Sequence, residues 1–558
     1  MVCLFVRRWV SQGSRFCAAA LLAAGFVGGA AAQPVSGLIV KFKDAPAHER
    51  VAALSASQRS AQTSRVQLAL AGARISEARL KPVGRDAQHL DFGRQLSATE
   101  AQAMAERLRS QPDVEWVELN QREQLLQAAV IPDDAYYSFD VPTNDPGQWW
   151  LRPPGETQGS WPASWGAPGV QNAWSVEKGR ASAIVAVLDT GTTPHSEMFG
   201  RFLPGYDFVS EVEYANDHDG RDADPSDPGD GVTQADIDAN PVLFGGCTAQ
   251  ASSWHGTAIS GIIAAATNNA AGIAGINWNG RVLPVRVAGK CGATVTDIVD
   301  GMRWAAGLPV SNVPDNPNPA RIINISFGGS TACGNLYQTT VNELAAIGVV
   351  VVAAAGNSAG AFDNPTGSLS RPASCAGVVA VTALARDGIK AYYSNFGSGV
   401  TVATVGGDRT VDDGVLTLSN TGVQAPATES YANEFGTSFS APIVSGVISL
   451  MLSANPNLTV PQIISGLRAS ARPHVTSNLA ACSSTNVGAC KCTTSTCGAG
   501  ILDAEGAVRY ALNPPAPPND GGGGGALGWV WLVGLGLGVL ALAGLSGLAR
   551  AGRKHLPE

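Results

Sequence analysis

Continuous apolar runs punctuate the middle of this 558-residue chain: AIVAVLD (183–189), RVLPVRV (281–287), RIINISF (321–327), GVVVVAAAGN (348–357) and GVVAVTAL (377–384). Their apolar residues are consecutive rather than alternate, so each run predicts a strand covered on both faces, as in a parallel sheet. Stretches with helical spacing lie between them, among them VTDIVDGMRWAAG (295–307) and VNELAAIG (341–348). Strands alternating with helices predict an α/β domain over residues 131–512, doubly wound around a mainly parallel sheet. In such sheets, ligands gather beyond the carboxyl ends of the strands.

The pattern changes toward both ends. GLIVKF (37–42) and DVEWVELN (113–120) read as strands, the second by alternation. SATEAQAMAERLRSQ (97–111) reads as a helix, with Ser97 and Glu100 at the spacing of a capping box. Residues 33–130 therefore predict a small α+β unit. Ahead of it, Arg7, Arg8 and Arg15 precede an apolar stretch ending in Ala30-Ala31-Ala32, which reads as a signal peptide over 1–32. At the other end, the Pro- and Gly-rich run 513–525 is a linker. Residues 526–549 carry no charge and are long enough to span a bilayer as one helix. Arg550, Arg553 and Lys554 mark 550–558 as a basic end expected on the cytoplasmic side.

Composition narrows the function. The net charge is -8, and the central region has no Lys/Arg cluster, which excludes a phosphate backbone as partner. Two of the ten cysteines, Cys3 and Cys17, belong to the signal peptide. The other eight are an even number in an exported chain, which predicts disulfides. The loop ANDHDGRDADPSDPGD (215–230) concentrates Asp217, Asp219, Asp222, Asp224, Asp227 and Asp230. Hard carboxylate oxygens on a flexible loop suit calcium, although the closing Glu of an EF-hand is missing. The alternative is a solvated acidic loop.

Three motifs carry the chemistry. VAVLDTG puts Asp189 at the end of a buried strand, SSWHGTAISG puts His255 at the start of a helix, and EFGTSFSAPIVSG puts Ser438 just ahead of another. A serine hydroxyl needs a neutral imidazole to take its proton. The imidazole in turn needs a carboxylate on its other nitrogen to fix its orientation. DTG (189–191), HGT (255–257), GTSFSAP (436–442) and AAAGN (353–357), in this order, resemble the signature motifs of the subtilase family of serine proteases.

The resemblance covers about residues 145–510 and implies a triad of Asp189, His255 and Ser438. Asn357 would be the oxyanion donor beside the amide of Ser438. INISFGG (323–329) resembles the segment that pairs with an extended peptide, so Ser326, Phe327 and Gly328 would line one cleft wall and Gly292 the other. Main-chain recognition of this kind implies broad specificity for protein and peptide substrates. Two departures stand beside the motifs: Ala258-Ile259-Ser260-Gly261 follows HGT, and Phe439 and Ser440 follow the serine.

The resemblance further implies that residues 33–130 are a propeptide. It would assist folding, inhibit its own enzyme, and be cut off by it within 121–135. Cys247 would pair with Cys291 and Cys333 with Cys375, whereas Cys482, Cys490, Cys492 and Cys497 leave three pairings open. The resemblance also raises the case for structural calcium. The glycine run, apolar segment and basic end resemble a bacterial sorting tail, implying an enzyme secreted or at the cell surface after transient membrane anchoring; a monomer is expected. Two rivals remain: an inactive binding module of the same fold, and a narrow processing protease.

Overall fold

The computed structural model describes residues 35–43, 56–75, 78–83, 86–120, 130–138 and 145–515. The expected signal peptide, residues 121–129, the glycine half of the linker, the apolar segment 526–549 and the basic end lie outside the described residues. The chain forms two units, divided between Ile131 and Pro132.

The first unit runs β1 (Leu38–Phe42), α1 (Ala56–Gly72), β2 (Arg79–Val83), β3 (Ala87–Asp91), α2 (Ala98–Arg109) and β4 (Val114–Leu119). Its strands form an antiparallel sheet in the order β2-β3-β1-β4. Alternation along β1 turns Leu38, Val40 and Phe42 inward against Leu70 of α1 and Leu108 of α2. The capping box at the start of α2 closes only by half. Ser97 accepts the Glu100 amide at 3.1 Å, but the Glu100 carboxylate pairs with Arg94 instead of returning to Ser97.

The second unit holds seven parallel strands: β5 (Val185–Asp189), β6 (Tyr206–Asp207), β7 (Val282–Arg286), β8 (Ile322–Ile325), β9 (Val350–Ala354), β10 (Val379–Leu384) and β11 (Val400–Val405). They are ordered β11-β10-β9-β8-β5-β7-β6. The main helices are α3 (His255–Ala264), α4 (Val295–Ala305), α5 (Asn335–Ala346), α6 (Thr437–Ala454), α7 (Val460–Ser470) and α8 (Ala504–Leu512). Every residue of β5, β7, β8 and β9 is buried, as their continuous apolarity predicts.

One sheet face, including Leu188, Ile323, Ile325 and Val351, packs against Ile298 and Met302 of α4 and Leu344 of α5. The other lies against α3 and α6. This is the doubly wound arrangement. Asp189 alternates with Leu188 and so points to the α3/α6 side. An antiparallel hairpin, β12 (Val415–Asn420) and β13 (Glu429–Glu434), leads into α6. Among the described residues, α6 alone is long and apolar enough to cross a bilayer, but 89% of it is buried, so its apolarity belongs to the core.

Candidate active site

The site forms where β5, β8 and β9 end and α3 and α6 begin. Asp189 is the last residue of β5 and is 1% exposed. His255 is the first residue of α3, and its Nδ1 lies 2.7 Å from Asp189 Oδ1. The same carboxylate oxygen accepts the Thr190 amide at 2.9 Å. One oxygen thus holds both the imidazole and the turn behind it.

Ser438 is the second residue of α6. Pro442, four residues on, has no N–H to give the Ser438 carbonyl. That carbonyl accepts instead from Ser326 Oγ at 2.8 Å, and Ser438 Oγ donates to Ser326 O at 2.7 Å. In this rotamer the hydroxyl faces Ser326 rather than the imidazole, and rotation about one bond redirects it. Apo sites commonly show such loosened contacts. As a first-turn amide, Ser438 N–H has no acceptor within its helix.

Asn357, in the loop after β9, accepts the Thr437 amide at 2.9 Å and the Thr437 hydroxyl at 2.8 Å through Oδ1. An amide that accepts both through its oxygen must present its nitrogen elsewhere. Nδ2 lies on the Gly436 side, where a Cβ would stand 3.1 Å from it and where φ is +150°. The positive φ there favours glycine.

Asp189, His255, Asn357 and Ser438 line one cleft of about 1060 Å³, together with Ser326, Phe327, Gly328 and Gly292. Phe327 is partly buried and also packs against the sheet core. The structure joins Cys247 to Cys291 and Cys333 to Cys375. The first pair lies on the cleft rim beside Gly292. Of the three open pairings, it has Cys482–Cys490 and Cys492–Cys497.

The sequence profile of the subtilase family matches residues 180–500. The chain is 36% identical over 488 residues to the extracellular protease of Xanthomonas campestris pv. campestris, covering 87% of this chain and 74% of that protein. Against the extracellular basic protease of Dichelobacter nodosus it is 36% identical over 357 residues, 64% of this chain and 53% of that one. Among solved structures it resembles a protease from Pseudoalteromonas arctica, with 41% identity, a TM-score of 0.55 and coverage of 62% of this chain and 94% of that one.

The chain belongs to the subtilase family. It is a peptide-bond hydrolase of that family, and relatives bear the name extracellular protease.

The departures beside the subtilase motifs find their places. Phe439 is buried and its ring stands edge-on to His255 at 5.6 Å. Ser440 donates to the Val405 carbonyl, and Ser260 to that of Gly256. Burial works against a charged His255, but Asp189, helped by Asp230 and Glu434, outweighs it and holds the imidazole above its ordinary pKa. The base must be neutral to act, so activity should rise with pH through that elevated value. Glu434→Gln removes one charge favouring the imidazolium. The acid limb of its kcat/KM profile should move to lower pH, and an unmoved limb or one displaced upward would refute the charge coupling.

The aspartates Asp217, Asp219, Asp222, Asp224 and Asp227, expected to bind metal, do not act as one set. Asp217 and Asp222 flank Asp219, whose carboxyl is raised by desolvation and then by these two neighbours. Asp217 also pairs with the buried Arg286. Asp224 accepts from the Ser226 amide and hydroxyl. Asp227 is turned inward: Oδ2 accepts the Thr190 hydroxyl at 2.7 Å and Oδ1 the Gly229 amide at 2.9 Å. Both carboxylate oxygens of Asp227 thus accept hydrogen bonds from within the fold, beside Asp189.

A second carboxylate cluster went unread in the sequence. Glu197 is 2% exposed, its Oε2 has no hydrogen-bond partner, and burial pushes its pKa to about 7. Asp134 lies close enough to raise it further. A buried, unpartnered carboxylate oxygen fits a hard cation. Among the described residues the tightest gathering of ligand atoms is Cys482, Cys492 and Cys497, all already in disulfides.

Proposed function

We propose that this subtilase is an exported serine endopeptidase of broad specificity, acting through an acyl-enzyme with Asp189, His255 and Ser438 as its triad. The observation that carries the reading is the 2.7 Å bond between His255 Nδ1 and Asp189 Oδ1, in the cleft that Ser438 and Asn357 also line. His255 takes the Ser438 proton as Oγ attacks the substrate carbonyl. Asn357 Nδ2 and the Ser438 amide receive the oxyanion. The imidazolium then protonates the leaving amine, and water, activated by the same imidazole, frees the acid. Substrate lies extended between the 326–328 and Gly292 walls. Main-chain pairing reads side chains weakly, which supports a broad range of protein substrates.

By the same reading, residues 1–32 are a signal peptide, 33–130 an inhibitory propeptide removed by self-cleavage, and 513–558 a tail that anchors the monomeric precursor before release. One experiment tests activity, place and processing together. A fluorophosphonate probe applied to the culture medium should label Ser438 in a protein that begins near residue 131 and ends before 526. Extracellular protein of that size whose Ser438 stays unlabelled would favour the inactive binding module. Cleavage of only a few members of a random peptide library would favour the narrow processing protease.

Structural calcium belongs to the proposal. Glu197 with Asp134, and Asp219 with Asp217 and Asp222, are the residues that would hold it, and its role is charge neutralisation. A ligand that binds only the folded state stabilises it by about 2.7 kcal/mol at a hundred times its Kd. Excess chelator should therefore lower the melting temperature, and Glu197→Gln should blunt that drop. An unchanged melting curve would leave both acidic clusters merely solvated or buried.

A further inference from the structure

The triad's own contacts do not explain what fixes the start of α3 against the end of β5. Thr190 supplies a link. Its amide donates to Asp189 Oδ1 at 2.9 Å, the oxygen that also bonds His255 Nδ1. Its hydroxyl oxygen accepts the Gly256 amide at 3.1 Å. Gly256 directly follows His255, so the contacts close a ring: Asp189 carboxylate, His255 ring, His255–Gly256 peptide, Thr190, and back to Asp189. The fit is close, because a Cβ on Gly256 would lie 2.1 Å from Gly191 O.

Asp227 stands outside this ring and sets one part of it. The Thr190 hydroxyl has a single proton and gives it to Asp227 Oδ2 at 2.7 Å. A lone pair is then left toward Gly256 N–H, and the hydroxyl cannot turn to donate elsewhere. Asp227 is itself fixed by the Gly229 amide on Oδ1 and by its own amide on Thr192 O at 3.0 Å. It is 2% exposed and Thr190 7%, so water does not compete strongly at either.

We propose that Asp227, through the Thr190 hydroxyl, is a positioning residue that aligns His255 with Asp189. The inference rests on the triad reading above and adds two residues that act through Asp189 and His255 rather than on the bond being cut. A small misplacement of a catalytic group costs up to about a hundredfold in rate. The loss should therefore fall on turnover rather than on substrate affinity.

The test uses mature enzyme with Ser438→Ala as the inactive reference. Thr190→Val keeps the shape and removes the hydroxyl, and its kcat should fall about 10–100-fold with KM little changed. Asp227→Ala should do the same, and the double variant should be no worse than the poorer single, because the two act as one unit. Thr190→Ser restores the hydroxyl and should recover most of the turnover. Parental kcat in Thr190→Val, a loss carried by KM, an equal loss in Thr190→Ser, or additive losses in the double variant would each overturn the inference. If Asp227→Ala does not accumulate, the Thr190→Val and Thr190→Ser pair decides alone. Activity surviving in Ser438→Ala would instead sink the triad reading itself.

Discussion

Ser438→Ala should lose about six decades of turnover on a protein substrate and leave the precursor uncut at its propeptide junction. The substitution deletes one atom, Oγ, whose observed bond is to the Ser326 carbonyl. Alanine is well suited to the first turn of a helix. The Ser326 hydroxyl still has the Ser438 carbonyl to bond, because Pro442 leaves it free. The protein should therefore fold, and its melting temperature should change far less than its activity. The Asp189–His255 pair would remain but have no hydroxyl to activate. Adding His255→Ala should cost little more, since the triad acts as a unit. Near-normal caseinolysis by purified Ser438→Ala would end the assignment.

Asn357→Ala should reduce turnover by about 10²–10³ with a smaller effect on KM. The oxyanion exists only on the path to the transition state, so losing its donor weakens binding there and not in the ground state. Geometry suggests a sharper control. Asn357 Oδ1 holds the Thr437 amide and hydroxyl, so alanine also loosens the residue before the nucleophile. Asn357→Asp keeps an acceptor for Thr437 but replaces the donor with a negative charge facing the oxyanion. It should be at least as impaired as alanine. A raised KM with unchanged kcat in either variant would mean that Asn357 binds substrate and does not stabilise the developing charge.

The five central strands were legible because burial on both faces leaves a mainly apolar run, interrupted inside only by Asn324 in β8 and Thr382 in β10. Strands serving other roles were not. β6 has two residues and β13 reads ESYANE, too polar to announce a strand without its partner β12. The helix expected from Val341 begins at Asn335, because NLYQTT offers neither an N-cap side chain nor a clear apolar face. At the site, motif order identified which residues meet but not how. Nothing in the string shows the Ser438 hydroxyl turned to Ser326, or a proline freeing the carbonyl that receives Ser326 in return. The acidic loop was only partly legible. Its composition is visible, but whether a carboxylate faces water, an arginine or a buried hydroxyl depends on the fold, and Asp227 faces the hydroxyl of Thr190.

The disulfides bear on how such an enzyme survives its own company. An unfolded copy of a protease is food for its folded neighbours. Cys247–Cys291 and Cys333–Cys375 close loops with sequence separations of 44 and 42. On a chain-entropy account each such closure restrains the denatured chain by about 4 kcal/mol, against about 2–2.5 kcal/mol for closures of the size of the two short C-terminal ones. The long loops therefore stay pinched when a molecule melts. Segments from the cleft walls cannot be drawn out fully, and a transiently opened copy can close again before another cuts it.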